Sequence, residues 1–172
     1  MITQDGSNRD DGVPTESDLS FLRRTFTLAL ESRDRGKHPF AAVVAGADGL
    51  VISEAGNNSI LPDGDPTQHA EVVAAAQAAR LRSPEELSRA TLYSSAEPCC
   101  MCAGAIYWCN IGRVVYALSE ERLLGLTGDH PENPTLALSC RRVFASGQHP
   151  VQVLGPALQD EAAQVHKGFW GR

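Results

Sequence analysis

Short apolar runs alternate with stretches of helical periodicity along most of this chain, and only the first two runs lie close enough to pair as a hairpin. Residues 40–45 and 50–53 flank Asp48-Gly49, a tight-turn pair, and are expected to form two antiparallel strands. Later apolar runs at 91–94, 113–117 and 151–154 are each preceded by helical patterns: the Ala-rich 69–81, then 99–109, then 120–126 and 136–145. Strands spaced in this way need crossover connections. The expected fold class is therefore α/β, a three-layer α/β/α sandwich around a central mixed five-stranded sheet.

The ends of the chain fit the same plan. Ser17 is placed to cap a helix in which Leu19, Leu22, Phe26 and Leu30 recur at helical spacing, and Gly36 and Pro39 stop it. A last helix is expected over 159–169. Residues 1–15 are polar and acidic with nothing periodic to bury, so they read as a disordered arm before a single domain over 16–172. A domain of that size buries enough surface to fold without metal or disulfide staples, which leaves any metal free for catalysis. No apolar run reaches the length of a membrane span. The N-terminus carries Asp5, Asp10, Asp11, Glu16 and Asp18 against Arg9, unlike a secretory leader, so the cytoplasm is the expected compartment. The net charge of −6 weighs against a phosphate-binding surface and favours a small-molecule substrate over tRNA.

Five cysteines are an odd number, and three crowd into Cys99, Cys100 and Cys102, which suits metal or redox chemistry better than disulfides. Cys99 and Cys102 are three apart at a helix start, so both thiols fall on one face, where free N–H groups and the helix dipole favour thiolates. His69, at the start of the earlier helix, is the obvious third ligand. One imidazole and two thiolates leave a tetrahedral zinc one position for water, and such a centre activates water near neutral pH. The site then needs a proton carrier. Glu71, two residues from His69 and nearly opposite it on the helix, reaches the site only if the helix end points at the metal, which makes it a neighbour rather than a ligand. A thioredoxin-like dithiol is the competing reading of Cys99 and Cys102, but it gives His69 and Glu71 no role. A structural zinc would need a fourth ligand from Cys100, Cys109 or Cys140.

His69-Ala70-Glu71, followed after a strand by Pro98-Cys99-Cys100-Met101-Cys102, resembles the cytidine deaminase-like superfamily. Pro39-Phe40-Ala41-Ala42-Val43, Asp65-Pro66-Thr67-Gln68 and Ala103-Gly104-Ala105-Ile106-Tyr107-Trp108 look like its branch of guanine and tRNA adenosine deaminases. The resemblance implies one catalytic zinc per chain on His69, Cys99 and Cys102. It further implies attack by zinc-bound hydroxide on the amino-bearing ring carbon, with Glu71 shuttling the proton and ammonia released.

It also implies substrate contacts from Asn57, Ala70, Glu97 and Pro98, and ring stacking by Phe40 and Trp108, although a turn residue, a helix start and core packing explain the same residues. Asp129 falls where guanine-type enzymes keep an acidic residue, and a carboxylate suits the paired N–H donors of guanine; shaping a surface turn is its other reading. Phe169 and Trp170 cap a pocket, in their own chain or in a partner's, or pack on the core. Guanine or a related aminopurine, acted on by a homodimer, is the leading reading. A tRNA adenosine deaminase, a cytosine-type deaminase and a redox or structural-zinc protein are the alternatives.

Overall fold

The computed structural model describes residues 12–171. Most of the arm expected over 1–15 lies outside them. The described chain runs α1 (Glu16–Asp34), β1 (Ala41–Ala45), β2 (Val51–Gly56), α2 (Ala70–Leu81), α3 (Pro84–Leu87), β3 (Thr91–Ala96), α4 (Cys100–Trp108), β4 (Arg113–Leu118), α5 (Glu120–Thr127), α6 (Cys140–Ala145), β5 (Gln152–Leu154) and α7 (Gln159–His166). The strand order is β2-β1-β3-β4-β5. β1 pairs antiparallel with β2 and with β3, whereas β3, β4 and β5 are parallel, so the sheet is mixed as the connection lengths require.

The period-2 alternation of the strands separates two cores. Ala42 and Val44 of β1, Leu92 of β3 and Val114 of β4 face a layer built by α2, α3, α4 and α6, with Ala74, Leu87, Ile106 and Phe144 buried against them. Ala41, Val43 and Ala45, with Tyr93 and Val115, face the other way onto Leu22, Phe26 and Ala29 of α1 and Val165 of α7. α2 and α4 are thus neighbours on one face of the sheet. Their N-termini carry the motif residues.

Several boundaries differ from expectation for local reasons. Thr15, not Ser17, caps α1: its hydroxyl accepts from the Asp18 amide at 3.2 Å while Asp18 accepts from the Thr15 amide at 2.8 Å, a reciprocal capping box. A second such box on Ser83 and Glu86 starts α3, which the apolar pattern does not reveal. The helix expected over 136–145 begins only at Cys140, because Ser139 caps it, and Leu136 and Leu138 are exposed rather than periodic core. α2 and α4 start one residue later than expected, at Ala70 and Cys100, which makes His69 and Cys99 the N-cap residues.

Asp18 also ties α1 to the sheet. It is 3% exposed and accepts from both Arg113 guanidinium nitrogens, at 2.7 and 2.8 Å, and from the Tyr93 hydroxyl at 3.0 Å. Burial alone would push its carboxyl up, but Arg113, Thr15 and Tyr93 together hold it well below the usual carboxylate range. A depressed folded-state value stabilises the protein above the unfolded value of about 3.9, and that contribution is lost as the pH falls from there. Asp18→Asn is therefore expected to cost about 3 kcal/mol at pH 7, near the low end for a broken buried pair, because the Arg113 side chain keeps 24% of its surface in water. Urea unfolding at pH 7 and pH 3 checks this. The gap should narrow at the lower pH, and equal stabilities at pH 7 would show that the pair contributes nothing.

Candidate active site

His69 and Cys99 occupy N-cap positions, so their side chains stand at the mouths of α2 and α4, where the first-turn N–H groups lack helical partners. Neither side chain makes a capping bond, which leaves both available. Cys102 is the third residue of α4 and shares its face with Cys99. Packed side by side, the two helices bring Cys99 Sγ to 3.7 Å and Cys102 Sγ to 3.6 Å from His69 Nδ1, with the sulfurs 3.5 Å apart. Tetrahedral zinc with sulfur and imidazole ligands requires ligand-to-ligand separations of about 3.6–3.8 Å. Both imidazole–sulfur separations meet that requirement, and the sulfurs, at 3.5 Å, stand slightly closer together than a bound ion would hold them.

The charges of the group point the same way. The Cys102 thiol donates to Cys99 and, with the His69 ring and against the burial that opposes it, draws Cys99 down to about 4. Cys102 is pushed far up, because it is the donor to Cys99, is buried and faces Glu71. His69 is raised chiefly by its bond with Cys99. The cluster accepts one negative charge readily and resists a second, and a divalent cation between the sulfurs is what accommodates both. Among the described residues the group has these three members. Cys140 is core, its thiol pushed up to about 12 by burial and by the neighbouring Glu97. Cys100 and Cys109 are half-buried and outside the group.

Glu71 follows His69 on the first turn of α2 and is 6% exposed. The end of the helix points at the cluster, so spacing alone did not decide whether this side chain could reach it. Its Oε1 accepts from the Ser94 hydroxyl of β3 at 2.8 Å, and its Oε2 lies 3.5 Å from Cys102 Sγ. Burial pushes the carboxyl above the usual range, partly countered by His69.

A cavity of about 560 Å³ opens over this cluster, with His69, Glu71 and Cys99 in its lining. Asn57 and Phe40 line it too. Phe40 also packs against His166 and Trp170, at ring-centroid distances of 5.2 and 6.1 Å, so its ring is part of the wall. Glu97 reaches the cavity, yet its carboxylate accepts from the Glu120 and Cys140 amides, both at 3.3 Å, and so secures the starts of α5 and α6. Pro98 is buried just before the Cys99 cap, and Ala70 is fully buried in the core; neither lines the cavity.

Two further expected contacts also fall outside the lining. Trp108, at the far end of α4, is 85% exposed and stands away from the cavity, because six residues separate it from Cys102 and carry it around and along the helix. Asp129 is exposed and outside the lining; the acid of its loop that does line the cavity is Glu132, three residues on. Phe169 and Trp170 pack on the chain's own wall, where the Trp170 indole donates to His166 Nδ1 at 3.1 Å.

Among the lining residues that sequence reasoning missed are His38, Ser59, Glu120 and Glu132. Glu120 passes for an ordinary first-turn acid of α5, a position that carboxylates favour on any helix. In place, burial pushes it up to about 7, opposed by the Thr135 hydroxyl and reinforced by Glu97, Cys99 and Glu71. His38 sits between a helix stop and a strand, with no periodic partner in the sequence. A cluster of polar residues in loops flanking the motif was the only signal available for it.

Residues 15–118 match the family described as the cytidine and deoxycytidylate deaminase zinc-binding region. The chain is 42% identical over 156 residues to a probable cytosine deaminase of Schizosaccharomyces pombe, covering 91% of this chain and 94% of that one. It is 37% identical over 161 residues to a tRNA-specific adenosine deaminase of Haemophilus influenzae, covering 92% and 86%. The crystal structure of guanine deaminase from Bacillus subtilis superposes with a TM-score of 0.57 at 30% identity, covering 90% of this chain and 96% of that one.

Proposed function

Because the chain belongs to the cytidine and deoxycytidylate deaminase family with its zinc-binding region, we propose that it hydrolytically deaminates a free nucleobase or nucleoside, with guanine or a related aminopurine foremost. The observation that carries this reading is a three-ligand metal group with a buried carboxylate beside it, of which His69, Cys99 and Glu71 line one cavity. When held by His69, Cys99 and Cys102, zinc supplies the Lewis acidity that makes water a nucleophile near neutral pH.

Glu71 does the proton work. Its Oε2, on the cluster side, accepts a proton as the water oxygen bonds to the amino-bearing ring carbon, and passes it first to a ring nitrogen. A second transfer accompanies the amino group as it leaves as ammonia, so the ring gains a carbonyl oxygen and loses nitrogen. The Ser94 hydroxyl, donating to Oε1, keeps Oε2 turned toward the reacting atoms. Glu97, tethered by two amides, shapes the wall rather than the chemistry.

Charge supports a small substrate. Glu97, Glu120 and Glu132 line the cavity together with Asn57, and no Lys or Arg is among the described lining residues. A tRNA strand would need basic groups along its phosphates. The adjacent N1–H and 2-amino donors of guanine suit carboxylate acceptors, and the likeness to a guanine deaminase accords with that. Cytosine is the second reading, favoured by the 42% identity with a probable cytosine deaminase across 91% of the chain.

Ammonia release from guanine, guanosine, cytosine, adenine and a tRNA anticodon stem-loop, measured with zinc-loaded protein, separates these. Guanine is expected to show the highest kcat/KM. Turnover of cytosine without guanine would install the second reading, and stem-loop turnover that falls steeply with salt would restore a tRNA substrate.

A further inference from the structure

Asn57 is 5% exposed, and the orientation of its side-chain amide is not arbitrary. The Ser59 backbone N–H lies 2.9 Å from Asn57 Oδ1, and a backbone N–H can only donate, so that atom is the oxygen. The Ser59 hydroxyl donates to the same oxygen at 2.8 Å. Both lone pairs of Oδ1 are thereby engaged, and among the described residues Nδ2 has no partner. Having given its proton to Asn57, the Ser59 oxygen is left as an acceptor, and His38 Nδ1 stands 3.2 Å from it. On the other side of the ring, His38 Nε2 lies 3.1 Å from Glu132 Oε2.

With its proton on Asn57, the Ser59 oxygen can accept from His38 Nδ1, while Glu132 stands at the other ring nitrogen. The participants come from three separate loops: His38 precedes β1, Asn57 and Ser59 follow β2, and Glu132 follows α5. His38 is buried and packed edge-on to Phe169 at 6.0 Å and against Trp170 at 5.4 Å, which fixes its ring plane.

The geometry points to His38 as a positioning residue for substrate selection: by holding the Ser59 hydroxyl on Asn57 Oδ1, it reinforces the orientation set by the Ser59 N–H, in which Asn57 presents only N–H donors to the cavity. Accepted rings are then those with a carbonyl oxygen or an unprotonated ring nitrogen at that edge, and rings with a donor there are rejected. Glu132, in turn, meets His38 through Oε2 alone and binds the loop at 128–138 to the opposite rim. The inference deepens the proposed deaminase activity and rests on it for its kinetic consequences, but the amide orientation itself does not depend on turnover.

Two measurements test it. In steady-state assays of zinc-loaded protein with its best base, Ser59→Ala and His38→Phe are each expected to raise KM roughly five- to tenfold with kcat within about twofold, the signature of lost binding shared by ground and transition states. The double variant should be no worse than Ser59→Ala alone, since both act through one link, and Ser59→Thr, which keeps the hydroxyl, should restore KM. Additive losses, or a fall in kcat with unchanged KM, would overturn the role.

Independently of activity, a crystal structure of the zinc-loaded protein at hydrogen-resolving resolution should show Asn57 Nδ2 facing the cavity in the wild type, with His38 Nδ1 protonated toward Ser59. Finding Oδ1 toward the cavity refutes the inference outright. A protein that deaminates none of the bases while holding this amide orientation would refute the deaminase reading and leave the orientation standing.

Discussion

Glu71→Gln is expected to bind one zinc per chain and to lose about 10²- to 10⁴-fold in kcat, the range that a positioned acid–base group supplies. Gln has the shape of Glu and its carbonyl oxygen accepts the Ser94 hydroxyl as Oε1 does, so the side chain stays in place while its capacity to hold and return a proton is gone. Zinc content should survive because Glu71 is a neighbour of the three ligands and not one of them.

Stability separates this outcome from damage to the fold. Burial raises the carboxyl of Glu71 in the zinc-free protein above its unfolded value of about 4.3. A raised folded-state value means that the contribution to stability is complete below the unfolded value and lost as the pH rises through the folded one. Zinc-free Glu71→Gln should therefore melt no lower than zinc-free wild type at pH 8, with the advantage shrinking toward pH 4. Calorimetry, metal analysis and turnover on the same preparations decide the matter. A variant with full activity removes Glu71 from the chemistry, and one that loses zinc makes it a ligand.

The parts of the site legible in the sequence were those whose geometry is set by one helix. Cys99 and Cys102 are three apart on α4, and that spacing alone puts both sulfurs on one face. The layered sheet was legible for a similar reason: a hairpin followed by crossover helices permits few arrangements. What escaped detection depends on loops. The acid in the loop after α5 was sought at Asp129 and is found lining the cavity at Glu132, because nothing periodic in 128–134 says which residue turns inward. Trp108 was expected at the substrate on the strength of its motif, yet it is carried to the surface at the end of α4. His38 and Ser59 meet only because two loops fold over the same rim, a contact between residues 21 apart that no local pattern encodes.

Cys102→Ser tests the metal group most directly. Cys102 is fully buried and its sulfur faces both other ligand atoms, so the replacement changes the donor while leaving the backbone of α4 undisturbed. A serine hydroxyl does not ionise near neutrality and is a poor zinc ligand beside a thiolate, and two remaining donors hold zinc weakly. Zinc is expected to fall from one per chain to a small fraction, with turnover below detection. Because a ligand stabilises only the state that binds it, free zinc at about a hundred times its Kd adds about 2.7 kcal/mol to the wild type, or roughly 5–10 °C in Tm for a domain of this size.

Chelation should remove that increment from the wild type and leave Tm of Cys102→Ser unchanged. Cys100→Ser is the control: its sulfur lies outside the group, so it should keep its zinc, its activity and its response to the chelator. If Cys102→Ser retained stoichiometric zinc and turned over substrate, the three-ligand site would be misassigned. If wild type and variant responded alike to the chelator, the stabilisation would come from a metal bound elsewhere. The comparison of responses, rather than either melting temperature alone, ties the metal to this cluster, since any packing defect from the smaller oxygen is common to both states of the variant and cancels.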